Sequence, residues 1–140
     1  MMVRDAADDD RDAVFGLANV LALERPVERA AFDVQYAAAL FDERTEFLVA
    51  VDGSMVGYLL GVISPMFLYN GGFAFVQELC VAADVRRRGV GAALMAEFEA
   101  RAYSRGAGAT ALATSRAGAF YEALGYTGGA TYFKKWLTRA

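Results

Sequence analysis

Apolar residues along this chain recur every three to four positions in some stretches and alternate or run together in others, and the switches between the two periods mark its elements. Residues 3–6 read as a short strand. Asp8, Asp9 and Asp10 follow where a helix would begin, an end whose unpaired N–H groups and positive dipole favour carboxylates. Val14, Leu17, Ala18 and Leu21 repeat at helical spacing until Arg25-Pro26 breaks the pattern. Residues 27–41 predict a second helix with Ala30, Ala31, Val34, Ala38 and Phe41 as its apolar stripe.

Residues 46–51 and 55–63 predict two strands joined by a tight turn at Asp52-Gly53-Ser54. Ser64-Pro65 ends the second, and Asn70-Gly71-Gly72 marks another turn. Residues 73–81 are apolar on both faces, as in a central strand. A loop, 82–88, leads to a helix over 90–104 with Leu94, Phe98 and Ala102 on one side and Gly106 as its stop. Residues 110–113 predict a strand and 117–124 a short helix ended by Gly125. A last strand pair begins at Tyr126, turns at Gly128-Gly129 and ends over 131–137. The order is that of one mixed α/β layer structure, expected to form a single domain over residues 1–140.

Composition narrows the chemistry. With 56% apolar and 22% charged residues the chain reads as globular. Seventeen acidic residues against fourteen Lys and Arg give a net charge of −3, so a nucleic-acid partner is not expected. No apolar leader opens the chain and no apolar run is long enough to span a bilayer; 73–81 is too short and carries Gln77 and Glu78. The single cysteine, Cys80, forms no internal disulfide and fits a reducing, cytoplasmic setting. The absence of histidine excludes Ser-His-Asp and Cys-His catalysis and any His-ligated metal, and one cysteine excludes a thiolate zinc site, so no metal is expected. Acid–base work falls to carboxylates, Tyr, Lys, Cys or water.

The most informative stretch runs from Val81 to Leu94, where an apolar strand enters a basic, glycine-bearing turn that opens a helix. Such a turn directs a row of main-chain N–H groups at an anion. Gly89 and Gly91 remove side chains that would block a phosphate, and Arg86, Arg87 and Arg88 add charge at the rim. The pattern implies a pyrophosphate or similar polyanion; read blandly, the arginines are a solvated surface and the glycines a helix start. A helix end contributes only about 0.3–1 kcal/mol to an exposed anion, against about 8 kcal/mol for micromolar affinity, so the loop must be one part of a longer site. The nucleoside-triphosphate loop pattern is missing, and Leu94 replaces the third small residue of the dinucleotide fingerprint.

Arg86-Arg87-Arg88-Gly89-Val90-Gly91 between a strand and a helix resembles the acyl-CoA signature of the GNAT acetyltransferase superfamily, Arg/Gln-x-x-Gly-x-Gly/Ala. Ala117-Gly118-Ala119-Phe120-Tyr121-Glu122-Ala123-Leu124-Gly125-Tyr126 is similar to that family's Ala-x-x-Phe-Tyr-x-x-x-Gly-Phe/Tyr segment, and Val3-Arg4-Asp5-Ala6 to its opening. The resemblance implies an α/β GNAT fold, a mixed sheet of about six or seven strands flanked by four helices. It also implies acetyl-CoA as cosubstrate and transfer of its acetyl group to a primary amine by direct attack. By resemblance, the amides of Arg87, Arg88, Gly89, Val90, Gly91 and Ala92 hold the pyrophosphate. The strand Leu79-Cys80-Val81 pairs with the pantetheine arm, and Val81, or next Leu79, polarises the thioester carbonyl. Tyr121 matches the tyrosine that protonates the leaving thiolate, and Glu78 the glutamate that accepts the amine's proton. Ala117 and Phe120 belong to the second motif beside the cofactor. Thr114 stands where many relatives carry an asparagine that contacts it.

Spacing alone leaves other readings open. Tyr121 shares a helical face with Ala117 and Leu124 and fits a core aromatic; Glu78 fits a structural pair with an arginine; Cys80 fits a small buried apolar residue. A non-catalytic acyl-CoA-sensing module of the same fold would use the same loop. The acceptor is expected to be a small-molecule, peptide or protein amine, walled by the two N-terminal helices, the last hairpin and residues 64–72. Met66, Phe67, Leu68 and Tyr69 make that last loop apolar, suited to closing over an apolar amine or to burying a homodimer interface.

Overall fold

The computed structural model describes residues 1–139. Four strands run antiparallel in chain order: β1 Met2–Asp5, β2 Thr45–Asp52, β3 Ser54–Met66 and β4 Gly71–Val81. A fifth, β5 Ala107–Leu112, joins β4 in parallel. Four α-helices, α1 Arg11–Leu21, α2 Arg29–Phe41, α3 Val90–Ser104 and α4 Gly118–Ala123, and two 3-10 turns, Asp8–Asp10 and Ala83–Val85, complete the described elements.

Phe47, Leu48, Val49 and Ala50 are consecutive and all buried, because both faces of the sheet are covered. Leu48 and Ala50 join Val90, Leu94, Met95, Phe98 and Ala102 of α3 on one face. A Cβ built at Gly61 would collide with the Phe98 ring, so glycine there lets α3 lie close. On the other face Phe47 and Val49 meet Val14 and Ala18 of α1 and Tyr36 of α2. A chain of aromatic contacts, Phe15–Phe32, Phe32–Tyr36, Tyr36–Phe47 and Phe47–Tyr58, with centroids 5.1, 5.4, 5.1 and 6.4 Å apart, ties both helices to the sheet.

Three expectations from the pattern are overturned. The α2 stripe does not face the core: Val34 is 66% and Phe41 86% exposed, and the inward face is Phe32, Tyr36, Ala39 and Leu40. Two aromatic rings bury more apolar area than a row of alanines, and they set the helix's rotation. Pro65 does not end β3, which continues to Met66; Pro65 sits opposite Gly72 near the hairpin's end, where one missing donor costs little. Among the described residues there are five strands and not six or seven, because no strand pair forms after Tyr126. Its expected second strand reads Thr131-Tyr132-Phe133-Lys134-Lys135-Trp136-Leu137, where paired apolar and paired charged residues break any two-residue alternation, and the preceding Gly128-Gly129-Ala130 offers only one methyl group to pack.

A bulge shapes the middle of β4. Gly61 is opposite Val76 but Leu60 is opposite Glu78, which leaves Gln77 as an extra residue. The extra residue reverses which face each later side chain takes. Ala74 and Val76 face α3 before it; Leu79 and Val81 do so after it. Glu78 and Cys80 therefore turn toward α1 and α2, where Glu78 meets Tyr58.

Candidate functional site

β4 and β5 pair only from Gly72↔Ala107 to Val76↔Leu112. Beyond Val76 the edge of β4 that faces β5 has no strand beside it among the described residues. The two strands splay around a cleft of about 710 Å³, walled by Gln77 to Val81 on one side and by Leu112, Thr114, Ala117 and Tyr121 on the other. The Ala82 N–H donates to Val56 O across β3 at 2.8 Å. In an antiparallel ladder alternate residues direct their main-chain groups to the same side. Cys80 therefore also points its main chain at β3, whereas Leu79 and Val81 direct theirs into the open cleft. Arg86 marks that direction: its Nε donates to the Val81 carbonyl at 3.4 Å.

Glu78 lines the cleft, half-buried, and its Oε1 accepts a hydrogen bond from the Tyr58 hydroxyl at 2.7 Å. Tyr58 is 1% exposed, and burial above all, with the nearby Glu78 charge second, pushes its phenol pKa far up, so it remains the donor. Tyr58 was not singled out from the sequence, although a phenol inside an apolar strand needs a partner and pointed to one. Cys80 contributes to the cleft wall, but its thiol donates to Leu17 O of α1 at 3.4 Å, and burial raises its pKa. The thiolate form is disfavoured, which fits the small buried residue and not a nucleophile.

Tyr121 lies on α4 across the cleft from Glu78. Its ring packs edge-on against Phe120 and Tyr126, with centroids 4.9 and 6.0 Å away. Burial raises its pKa, and no hydrogen bond to its hydroxyl forms among the described residues. Thr114 Oγ1 accepts from the Ala117 N–H at 3.0 Å and the Arg116 N–H at 3.4 Å, capping the approach to α4.

The loop that opens α3 stands past the Val81 end of the cleft. Arg87 and Gly89 hold left-handed backbones, with φ of 71° and 81°. The first helical bond runs from the Ala93 N–H to Gly89 O, so the amides ahead of it have no acceptor within the helix. Arg86, Arg87 and Arg88 are exposed beside them. The side chain of Val90 belongs to the core and leaves only its main chain to the loop. The two glycines differ from the expectation of a shared role. Around Gly89 a Cβ would meet open space, and its left-handed backbone is what favours glycine. At Gly91 a Cβ would come within 3.1 Å of the Phe120 ring, so Gly91 seats α4 against α3. Phe120 is thereby a packing residue between the loop and Tyr121.

Glu78, Leu79, Cys80, Val81, Arg86, Thr114, Ala117 and Tyr121 thus line one cleft, and Arg87 to Ala92 with Phe120 adjoin it. An open strand edge leading to a row of free amides fits a long ligand with an extended arm and an anionic end. Among the described residues no cluster of three or more potential metal ligands occurs, and no helix is long and apolar enough to cross a membrane.

The model of the Acetyltransferase (GNAT) family matches residues 12–126. Among solved structures, a putative acetyltransferase from Agrobacterium tumefaciens superposes with a TM-score of 0.86 at 24% identity, covering 98% of this chain and 100% of that one. Glucosamine-6-phosphate N-acetyltransferase from Arabidopsis thaliana does so at 0.83 and 18% identity, covering 98% of each chain. A transcriptional regulator from Bacillus halodurans reaches 0.87 at 21% identity, over 97% of this chain and 99% of that one. At these identities the likeness is one of fold. No curated protein matches the chain.

Proposed function

The chain belongs to the GNAT acetyltransferase family, and from that premise we propose that it transfers the acetyl group of acetyl-CoA to a primary amine within a ternary complex. The observation that carries the proposal is the open edge of β4 beyond Val76, ending at the amides that precede α3. Acetyl-CoA, when bound, supplies an activated thioester; everything else is done by this chain. The amides of Arg87 to Ala92 bind the diphosphate, with Arg86, Arg87 and Arg88 adding positive charge. Leu79 and Val81, whose main-chain groups point into the cleft, hold the extended arm as a neighbouring strand would. The Val81 N–H is aimed at the thioester carbonyl, where negative charge develops during attack.

Glu78 takes the amine's proton, directly or through one water. A free alkyl amine is mostly protonated at neutral pH, with a pKa of about 10.4 in the lysine case, so a carboxylate beside the reacting nitrogen both attracts the cation and receives its proton. Tyr121 holds a phenol proton for the departing thiolate. Because burial raises its pKa, the proton stays in place throughout the neutral range, and turnover does not fall from its ionisation until pH passes the ordinary tyrosine value of about 10.

The test is Tyr121→Phe, assayed by thiol release and by calorimetry with acetyl-CoA. Turnover is expected to fall by about 10²–10⁴, with acetyl-CoA affinity nearly unchanged. Full activity in the variant removes Tyr121 from the reaction. Tight acetyl-CoA binding by the unaltered protein with no transfer to any amine would instead make the fold a sensing module.

A further inference from the structure

A second cavity, of about 250 Å³, lies between α1, α2 and the sheet. We propose that it is the acceptor pocket, and that the acceptor is a primary amine carried on a short tether from a single apolar or aromatic ring. The inference rests on the acetyl-transfer reading and names the substrate class of that same site.

The walls exclude a polar body. Val14 and Ala18 of α1, Phe32 and Ala39 of α2, and Phe47 and Leu60 of the sheet present aliphatic and aromatic surface. The hydroxyls on the wall are already committed: Tyr36 donates to Ala7 O at 2.5 Å and Tyr58 donates to Glu78. Gln35 is exposed and stands at the rim. A cavity of ~150 Å³ with such a lining holds one benzene ring, so 250 Å³ accommodates a ring and a tether of two or three carbons.

Among the described residues, Glu78 is the one that lines both this cavity and the cleft between β4 and β5. Its Oε1 is held by Tyr58, while Oε2 accepts no hydrogen bond among the described residues and is not sealed from solvent. Among the described residues that line the cavity, the one charged group is therefore a carboxylate that also faces the cleft. A ring seated against Phe32 and Leu60 and tethered to an ammonium group satisfies both ends, and it delivers the nitrogen to the cleft. There the nitrogen gives one proton to Glu78, and its lone pair forms the C–N bond as the thioester C–S bond breaks; the thiolate takes the proton of Tyr121, and the nitrogen's second proton passes to the phenolate so formed, leaving a neutral amide. A sugar amine would lose the hydration of several hydroxyls without replacement, and a polyamine would bring further charges into a wall that answers only one.

The experiment uses the whole chain with saturating acetyl-CoA and compares 2-phenylethylamine with glucosamine and spermidine. The expected kcat/KM for 2-phenylethylamine exceeds that for either polar amine by about 10–100-fold. Ala39→Phe, which fills the pocket, is expected to raise KM for 2-phenylethylamine at least tenfold while the calorimetric affinity for acetyl-CoA stays the same. Ala31→Phe, at the exposed rim, provides the same comparison should the first variant fail to fold. Preferred transfer to glucosamine or spermidine, or a KM for 2-phenylethylamine that the folded variant leaves unmoved, overturns the pocket assignment and leaves acetyl transfer standing. Failure of the unaltered protein to bind acetyl-CoA overturns the underlying reading.

Discussion

A methyl group placed on Gly91 would lie 3.1 Å from the ring of Phe120, whereas one placed on Gly89 would touch nothing. Phe120 in turn packs on Tyr121. The two glycines therefore fail differently when replaced. Gly89→Ala forces a Cβ into a left-handed backbone, and an equilibrium urea titration should show a loss of about 1–2 kcal/mol. Gly91→Ala strains no backbone, and its neighbour is the mobile end of a ring that is 37% exposed. Its midpoint in the same titration should barely move while turnover falls, because the displaced ring shifts the phenol beside it. Both glycines and Tyr121 were visible in the sequence as members of motifs. Their division of labour was not, because spacing carries no record of which backbone is left-handed and which Cβ would meet a neighbour. Tyr58 went unnoticed for a related reason: its value lies in a hydrogen bond to a residue twenty positions away in the chain, set by strand register.

Helices and strands were legible where one face is plainly apolar, as in α3, whose Leu94, Phe98 and Ala102 lie in the core as their spacing indicated. α2 was legible in extent but not in rotation, since small and large apolar residues occupy different sides and only packing decides between them. The bulge at Gln77 was hidden altogether, and with it the reason that Glu78 faces α1 and α2. The corner between β1 and α1 shows how a polar residue read as a helix start also joins elements. Arg4 donates to both Asp10 oxygens at 2.8 and 2.9 Å, and the Ala7 N–H adds a third bond at 2.8 Å. The Arg4 bonds, helped by that amide, hold the Asp10 carboxyl below its usual range in spite of burial. A lowered folded pKa means stability that is fully present above the unfolded value, about 3.9, and is lost as pH falls through the folded one. Asp10→Asn should therefore be less stable by about 1–3 kcal/mol at pH 7. In urea titrations at a series of pH values, the gap to the unaltered protein should narrow below about pH 4.

The sheet divides the protein into two cores, and the cleft is the place where its last two strands part company. Element order and the anion loop could be read from the sequence because they are local. The missing strand pair could not, since whether residues 126–137 join a sheet depends on partners that a periodicity cannot display. The segment instead reaches back to the α1–α2 connection, where Trp136 donates to Glu24 at 2.8 Å and Arg25 lies 4.0 Å over the Trp136 ring. A ligand spanning the cleft would touch β4, the start of α3 and α4 together, so its binding energy should appear as resistance of the entire fold to heat. Coenzyme A at a hundred times its dissociation constant adds about 2.7 kcal/mol. For a chain of this size that corresponds to a rise in Tm of roughly 5–11 °C. Pantetheine, which can occupy the strand edge but has no diphosphate, should give a much smaller rise at the same concentration. The difference between the two isolates what the amides before α3 contribute, and equal shifts from both ligands would show that those amides hold no phosphate.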